Sequence, residues 1–109
     1  MDDTFLRTLL FDFYGDLLTE KQREYYDLHF NSDLSLQEIA EQYGTSRQAV
    51  WDLIRRAEGT LRGIEEKTGL VAKAVKRRRA LGELSALAER LPDSPEKHEI
   101  LDRLGELAD

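Results

Sequence analysis

The stretch Ser35-Leu36-Gln37-Glu38-Ile39-Ala40-Glu41-Gln42-Tyr43-Gly44-Thr45-Ser46-Arg47-Gln48-Ala49-Val50-Trp51-Asp52-Leu53-Ile54-Arg55-Arg56 holds two helical patterns separated by a glycine. Ser35 is placed to cap the first helix, and Glu38 three residues on can reach back to it, the arrangement of a capping box. Leu36, Ile39, Ala40 and Tyr43 fall on one face of that helix. Gly44 follows where a helix that stops and turns sharply needs a residue comfortable at positive φ. Thr45-Ser46 offers a new cap. Val50, Leu53 or Ile54, Ala57, Leu61 and Ile64 then continue an apolar stripe at three- and four-residue spacing. Two short-linked helices sharing one small core make a helix-turn-helix. In its DNA-binding use the second helix enters the major groove and reads with its N-terminal residues, here Arg47, Gln48, Trp51 and Asp52.

Working outward toward the N-terminus, Thr4 is placed to cap a first helix through Tyr14. Leu6, Leu9, Leu10, Phe13 and then Leu17 are available for a core, and Gly15 ends the helix. Thr19-Glu20-Lys21-Gln22 is a second capping box, opening a helix to about Phe30 with Tyr25, Tyr26 and Phe30 inward. Asn31-Ser32-Asp33 is the turn before Ser35.

In the other direction the second helix of the motif runs to about Lys67, although Gly59 and Gly63 each cost about 1 kcal/mol against alanine in a helix interior. Thr68-Gly69 is its stop. Leu70 to Leu91 forms another helix, basic at Lys73, Lys76, Arg77, Arg78 and Arg79, with Leu81, Leu84, Leu87, Ala88 and Leu91 as an apolar seam. Pro92-Asp93-Ser94-Pro95 breaks it, Ser94 capping and Pro95 opening a last helix that presents Ile100, Leu101, Leu104, Leu107 and Ala108. The expected architecture is all-α: a helix-turn-helix domain over residues 1–69 and a C-terminal helical hairpin over 70–109. The narrow seam of the hairpin suits folding back onto the body or self-association with a second copy.

The chain of 109 residues has a formal net charge of −6, which opposes long-range attraction to nucleic acid. The charge is unevenly spread. Residues 1–45 carry net −7, residues 46–79 net +6, and residues 80–109 net −5. The basic segment therefore begins at the expected reading helix. No run approaches the roughly 20 apolar residues of a membrane span, and Met1-Asp2-Asp3 does not open a signal peptide, so a cytoplasmic location is expected. Zero cysteines leave neither disulfides nor thiolate ligands.

Residues for catalysis are scarce. No Gly-rich phosphate loop or cysteine nucleophile is present, and His29 and His98 stand on different helices without a ligand pattern, so they are expected to be packing or surface residues. No catalytic residue, metal site or cofactor is assigned. The candidate nucleic-acid-binding residues are Ser46, Arg47, Gln48, Trp51, Arg55 and Arg56, with Lys73, Lys76, Arg77, Arg78 and Arg79. Arg47, Trp51, Arg55 and Arg62 fall on one outward stripe, flanked by Gln48 and Arg56. Arginine suits guanine or phosphate, and glutamine suits adenine. The competing reading is a solvated face whose arginines pair with Glu58, Glu65 and Glu66. An outward indole at Trp51 is a stacking platform, a protein-contact anchor, or a sign that this face is covered. Lys76 to Arg79 surround one helical turn, so some of these charges point away from any core and suit backbone contacts to a polyanion.

Four separated blocks carry a resemblance. Leu10-Phe11-Asp12-Phe13-Tyr14-Gly15, then Leu17-Leu18-Thr19-Glu20-Lys21-Gln22-Arg23, then Ser35-Leu36 with Glu38-Ile39-Ala40-Glu41, then Ser46-Arg47-Gln48-Ala49-Val50 with Asp52 resemble the YlxM family of small bacterial helix-turn-helix proteins. Leu18 to Leu61 also resembles, more loosely, the C-terminal promoter-reading region of sigma factors. The sequence departs from the YlxM pattern at Trp51, where that family usually has tyrosine, and at Leu53, where it often has a polar residue. The resemblance implies an all-helical, non-enzymatic protein linked to the signal recognition particle pathway, with the particle's RNA or its GTPase as partners. DNA is the partner implied by the sigma-like region. With RNA, stacking by Trp51 is more useful than groove insertion, because the A-form major groove is too deep and narrow for an ordinary reading helix. The remaining alternative is a helix-turn-helix used only for protein contact.

Overall fold

The computed structural model describes residues 3–108, and these form six α-helices. They are α1 Asp3–Tyr14, α2 Glu20–Phe30, α3 Leu36–Tyr43, α4 Arg47–Thr68, α5 Leu70–Glu89 and α6 Pro95–Ala108, with a 3-10 turn at Gly15–Leu17. The chain divides into two compact units, residues 1–71 and 72–109. The first unit reaches two residues into α5 for a local reason. Val71 is fully buried, and its N–H donates to Glu65 Oε1 at 2.9 Å.

In the first unit α4 is the spine, packed against α1, α2 and α3. Val50, Ile54, Ala57 and Leu61 recur at three- and four-residue spacing and are all buried. The same core buries Leu10 and Tyr14 of α1, Tyr25 and Tyr26 of α2, and Ile39 and Ala40 of α3. Burial of Val50, Ile54 and Leu61 contributes roughly 1.5–3 kcal/mol each, which outweighs the cost of about 1 kcal/mol for each of Gly59 and Gly63. The 22-residue helix therefore continues through both glycines.

The helix ends follow their expected chemistry at most positions. Thr19 with Gln22 and Ser35 with Glu38 both form reciprocal capping boxes. Gly44 and Gly69 adopt φ of +64° and +63° at the C-terminal ends of α3 and α4. Ser94 Oγ accepts from the Lys97 N–H at 3.1 Å, with Pro95 in the first helical position.

Four local expectations are corrected. The chain is already helical at Asp3, so Thr4 lies inside α1 rather than capping it, and its carbonyl accepts from Thr8 Oγ1 at 3.0 Å. Gly15 is not a positive-φ stop; a Cβ there would come within 3.3 Å of the Phe11 ring, so glycine lets that ring pack close to the turn. Phe13 and Leu17 are exposed, and Tyr14 and Leu18, one position along, are buried in their place. α5 ends at Glu89, two residues before Leu91.

The second unit covers its apolar residues incompletely. Leu81 and Ala88, seven residues apart on one side of α5, are buried, whereas Leu84, Leu87 and Leu91 are exposed. The expected single seam is thus two stripes, one covered and one open. α6 has no buried residue, and Ile100 and Leu107 are exposed along it. Near the turn, Lys97 Nζ donates to the Glu89 carbonyl at 2.9 Å.

Candidate nucleic-acid interface

The turn from α3 into α4 sets the geometry of the candidate site. Left-handed Gly44 reverses the chain, and Ser46 Oγ accepts from the Ala49 N–H at 3.1 Å to start α4. With Val50 and Ile54 directed to the core, helical geometry turns Arg47, Gln48, Trp51, Asp52, Arg55 and Arg56 outward, and all six are exposed. Ser46 is exposed too, but its hydroxyl serves the helix as a cap.

Leu36, Arg47, Gln48 and Trp51 line an open cleft of about 310 Å³ between the starts of α3 and α4. Asp52, Arg55 and Arg56 line a second open depression. Trp51 is 39% exposed, so it rests partly against the protein and presents the remainder to solvent. Gln48 Nε2 donates to Asp52 Oδ1 at 3.0 Å, which orients the amide one turn along the helix. The helical spacing of Leu36 puts it on the core-facing side with Ile39 and Ala40. It is half-buried and forms one wall of the cleft, a role visible only once α3 and α4 are placed together.

Two of the carboxylates weighed as partners, Glu58 and Glu65, engage residues other than Arg47, Arg55 and Arg56. Glu58 Oε1 lies 2.6 Å from Arg7 Nε and 3.8 Å from Arg62 Nη2. Glu65 Oε1 accepts from the Tyr14 hydroxyl at 2.6 Å and from the Val71 N–H. Among the described residues, Arg47, Arg55 and Arg56 have no carboxylate oxygen within 4 Å. Arg62, at the far end of the expected stripe, is the member that is paired.

The acidic ion pair of α1 and α4 also acts on the core. The Tyr26 hydroxyl is buried beside Glu58 without a well-aligned hydrogen bond, and burial first, then that negative charge, pushes it up to about 12. Tyr43 donates to Glu24, and this hydrogen bond pushes its hydroxyl up to about 12 as well. Glu38 is held below the usual carboxylate range by hydrogen bonds from Ser35, chiefly its backbone N–H.

Lys73, Lys76, Arg77, Arg78 and Arg79 belong to the second unit. All are exposed, and none has a carboxylate within 4 Å among the described residues. The histidines behave as packing and surface groups. His29 Nδ1 donates to the Leu34 carbonyl at 2.8 Å, and His98 Nε2 meets Asp93 Oδ1 at 2.7 Å. Among the described residues no group of three or more His, Asp or Glu could hold a metal ion, and no helix is long and apolar enough to cross a membrane.

Residues 1–102 match the model of the UPF0122 family, described as "Putative helix-turn-helix protein, YlxM / p13 like". The chain belongs to the UPF0122 family. It is 45% identical to UPF0122 protein BH2485 of Halalkalibacterium halodurans over 107 residues, covering 98% of each chain. A UPF0122 protein of Thermoanaerobacter sp. strain X514 is 43% identical over 109 residues, covering 99% of this chain and 93% of its own. A third, from Desulforamulus reducens, is 51% identical over 81 residues, covering 74% of this chain and 69% of its own. The UPF0122 match spans the α3–α4 motif and most of the second unit, so both are elements of the family's length rather than additions to it.

Proposed function

We propose that this UPF0122 protein is a non-enzymatic regulator that binds nucleic acid through α4 and acts in the cytoplasm in the signal recognition particle pathway. The observation that carries the binding is the exposed side of α4. Arg47, Arg55 and Arg56 stand there with no carboxylate within 4 Å among the described residues, beside a part-open indole. Unpaired guanidiniums suit phosphates, and Trp51 suits an unstacked base. Gln48, oriented by Asp52, offers an amide to a base edge. In the second unit, Lys76, Arg78 and Arg79 of α5 are exposed and suit phosphate contacts of their own. The pathway assignment rests on the YlxM likeness and makes the particle's RNA the first ligand to test and its GTPase the first protein partner.

A second reading is favoured by the turn itself. Left-handed Gly44 and the Ser46 cap leave the first turn of α4 open, as a duplex reader requires, so a transcription regulator bound to the DNA major groove is the alternative. Binding to signal recognition particle RNA, duplex DNA and the particle's GTPase, each at two salt concentrations, separates the readings. Nucleic-acid binding through arginines weakens by roughly one log–log slope unit per phosphate contact. Salt-insensitive binding to the GTPase alone would leave the motif as a protein-contact surface, and absence of binding to either polymer would remove the nucleic-acid reading.

A further inference from the structure

We infer that the open stripe of α5 is a self-association surface on which a second copy of this chain docks antiparallel. Lys73, Arg77, Ala80, Leu84, Leu87 and Leu91 are spaced alternately by four and three residues, the heptad spacing of a two-helix seam. Every one of them is exposed, the three leucines by 49%, 58% and 46%. Backbone turns from Arg90 N–H to the Leu87 carbonyl and from Leu91 N–H to the Ala88 carbonyl carry the stripe past the end of the helix. The neighbouring stripe of Leu81 and Ala88 is already covered within the chain, so on α5 this is the apolar stripe left for a partner.

Charge identifies the partner as the same chain and sets its direction. One end of the seam is basic and the other apolar. A parallel pair would set Lys73 against Lys73 and Arg77 against Arg77, with like charges in the seam. An antiparallel pair with Leu84 opposite Leu87 and Ala80 opposite Leu91 removes both clashes. Glu83, flanking the seam, then falls beside Arg90 of the second copy, and the twofold axis creates that pair twice. Glu83 and Arg90 are both exposed and have no ion-pair partner among the described residues of their own chain. The contact takes Lys73 and Arg77 and leaves Arg78 and Arg79 outward, so it does not depend on the nucleic-acid reading.

Sedimentation equilibrium of the full chain in low salt tests this, with a monomer–dimer equilibrium expected in about the micromolar range for so narrow a seam. Glu83→Arg or Arg90→Glu alone should weaken the dimer roughly tenfold, since each places two like-charged pairs in contact, and the double variant E83R/R90E should restore it. Leu84→Ser with Leu87→Ser should give a monomer with unchanged helical circular dichroism. A wild-type chain that stays monomeric at about 200 µM overturns the inference, since even small specific interfaces associate there. A dimer indifferent to the charge swap, or a seam that takes only a different protein, overturns it as well.

Discussion

Replacing Trp51 with alanine separates the indole's structural part from its part in binding. Trp51 is 39% exposed, so about three-fifths of it is covered in the free protein. A fully buried tryptophan hides roughly 150–250 Å², so the covered part is about 90–150 Å². At about 25 cal/mol per Å² that corresponds to roughly 2–4 kcal/mol of stability, an upper bound because the unfolded chain already hides some of this surface. The open part is the platform for a base, and its loss should weaken binding by about 1–3 kcal/mol, roughly 5- to 150-fold in Kd. Trp51 is the only tryptophan, so its fluorescence reports directly on the site as RNA is titrated. The variant is then followed by the anisotropy of labelled RNA at a temperature where circular dichroism shows it folded. Trp51→Phe should recover part of the loss, and neither change should alter the salt slope, because neither removes a charge. An alanine variant that is folded and binds as tightly as the wild type would refute the stacking argument.

Each of Arg47→Ala, Arg55→Ala and Arg56→Ala should flatten the log–log salt dependence of RNA or DNA binding by about one unit. Arg62→Ala should change it less, since Glu58 already holds that guanidinium at 3.8 Å. Gly44→Ala should lower stability by about 1–2 kcal/mol through its φ of +64°, whereas Gly59→Ala, where an added Cβ meets nothing within 4 Å, should raise it by up to about 1 kcal/mol. Chemical denaturation of both variants checks the pair of signs. Tyr26 has a folded pKa raised from 10.0 to about 12, so its contribution is present below pH 10 and is lost as pH rises toward 12. Tyr26→Phe should remove that alkaline loss and leave neutral-pH stability unchanged or slightly higher, because the hydroxyl it deletes is buried without a well-aligned hydrogen bond among the described residues. Unfolding curves between pH 9 and 12 would show it.

The local chemistry was legible in the sequence where a few neighbouring residues decide the outcome. The capping pairs Thr19 with Gln22 and Ser35 with Glu38 occur at fixed spacing, and Gly44 and Gly69 occupy positions that side chains resist. What stayed hidden depends on distant parts of the chain. Periodicity placed leucines on α5 but could not choose between the stripes of Leu81 and Leu84, because only the packed neighbours decide which is covered. The exposure of Phe13 and burial of Tyr14 turn on how α1 meets α4, where the Tyr14 hydroxyl finds Glu65 and Thr68, each at 2.6 Å. The candidate arginines were visible as a stripe. That Glu58 would be drawn to Arg7, 51 positions away, was not.

The opposed charges within the first unit make a further demand on any nucleic-acid ligand. Glu20, Glu24, Glu38 and Glu41 are exposed on α2 and α3, in the same unit as the α4 arginines. At about 0.15 M salt the screening length is roughly 8 Å, so a phosphate seated on Arg47 or Arg55 feels those guanidiniums strongly and the more distant carboxylates weakly. At about 0.01 M that length grows to roughly 30 Å, and the carboxylates repel the whole ligand. Lowering salt therefore strengthens the contact and the repulsion together. Affinity plotted against salt on logarithmic axes should bend over at low salt instead of rising in a straight line. Replacing Glu38 and Glu41 with glutamine should straighten it, raising affinity more at low salt than at high salt. Glu38 caps α3, and glutamine retains its capping geometry. An equal gain at both salt concentrations would mean that these carboxylates touch the ligand directly, and no gain at either would mean that the ligand approaches α4 from a side they do not reach.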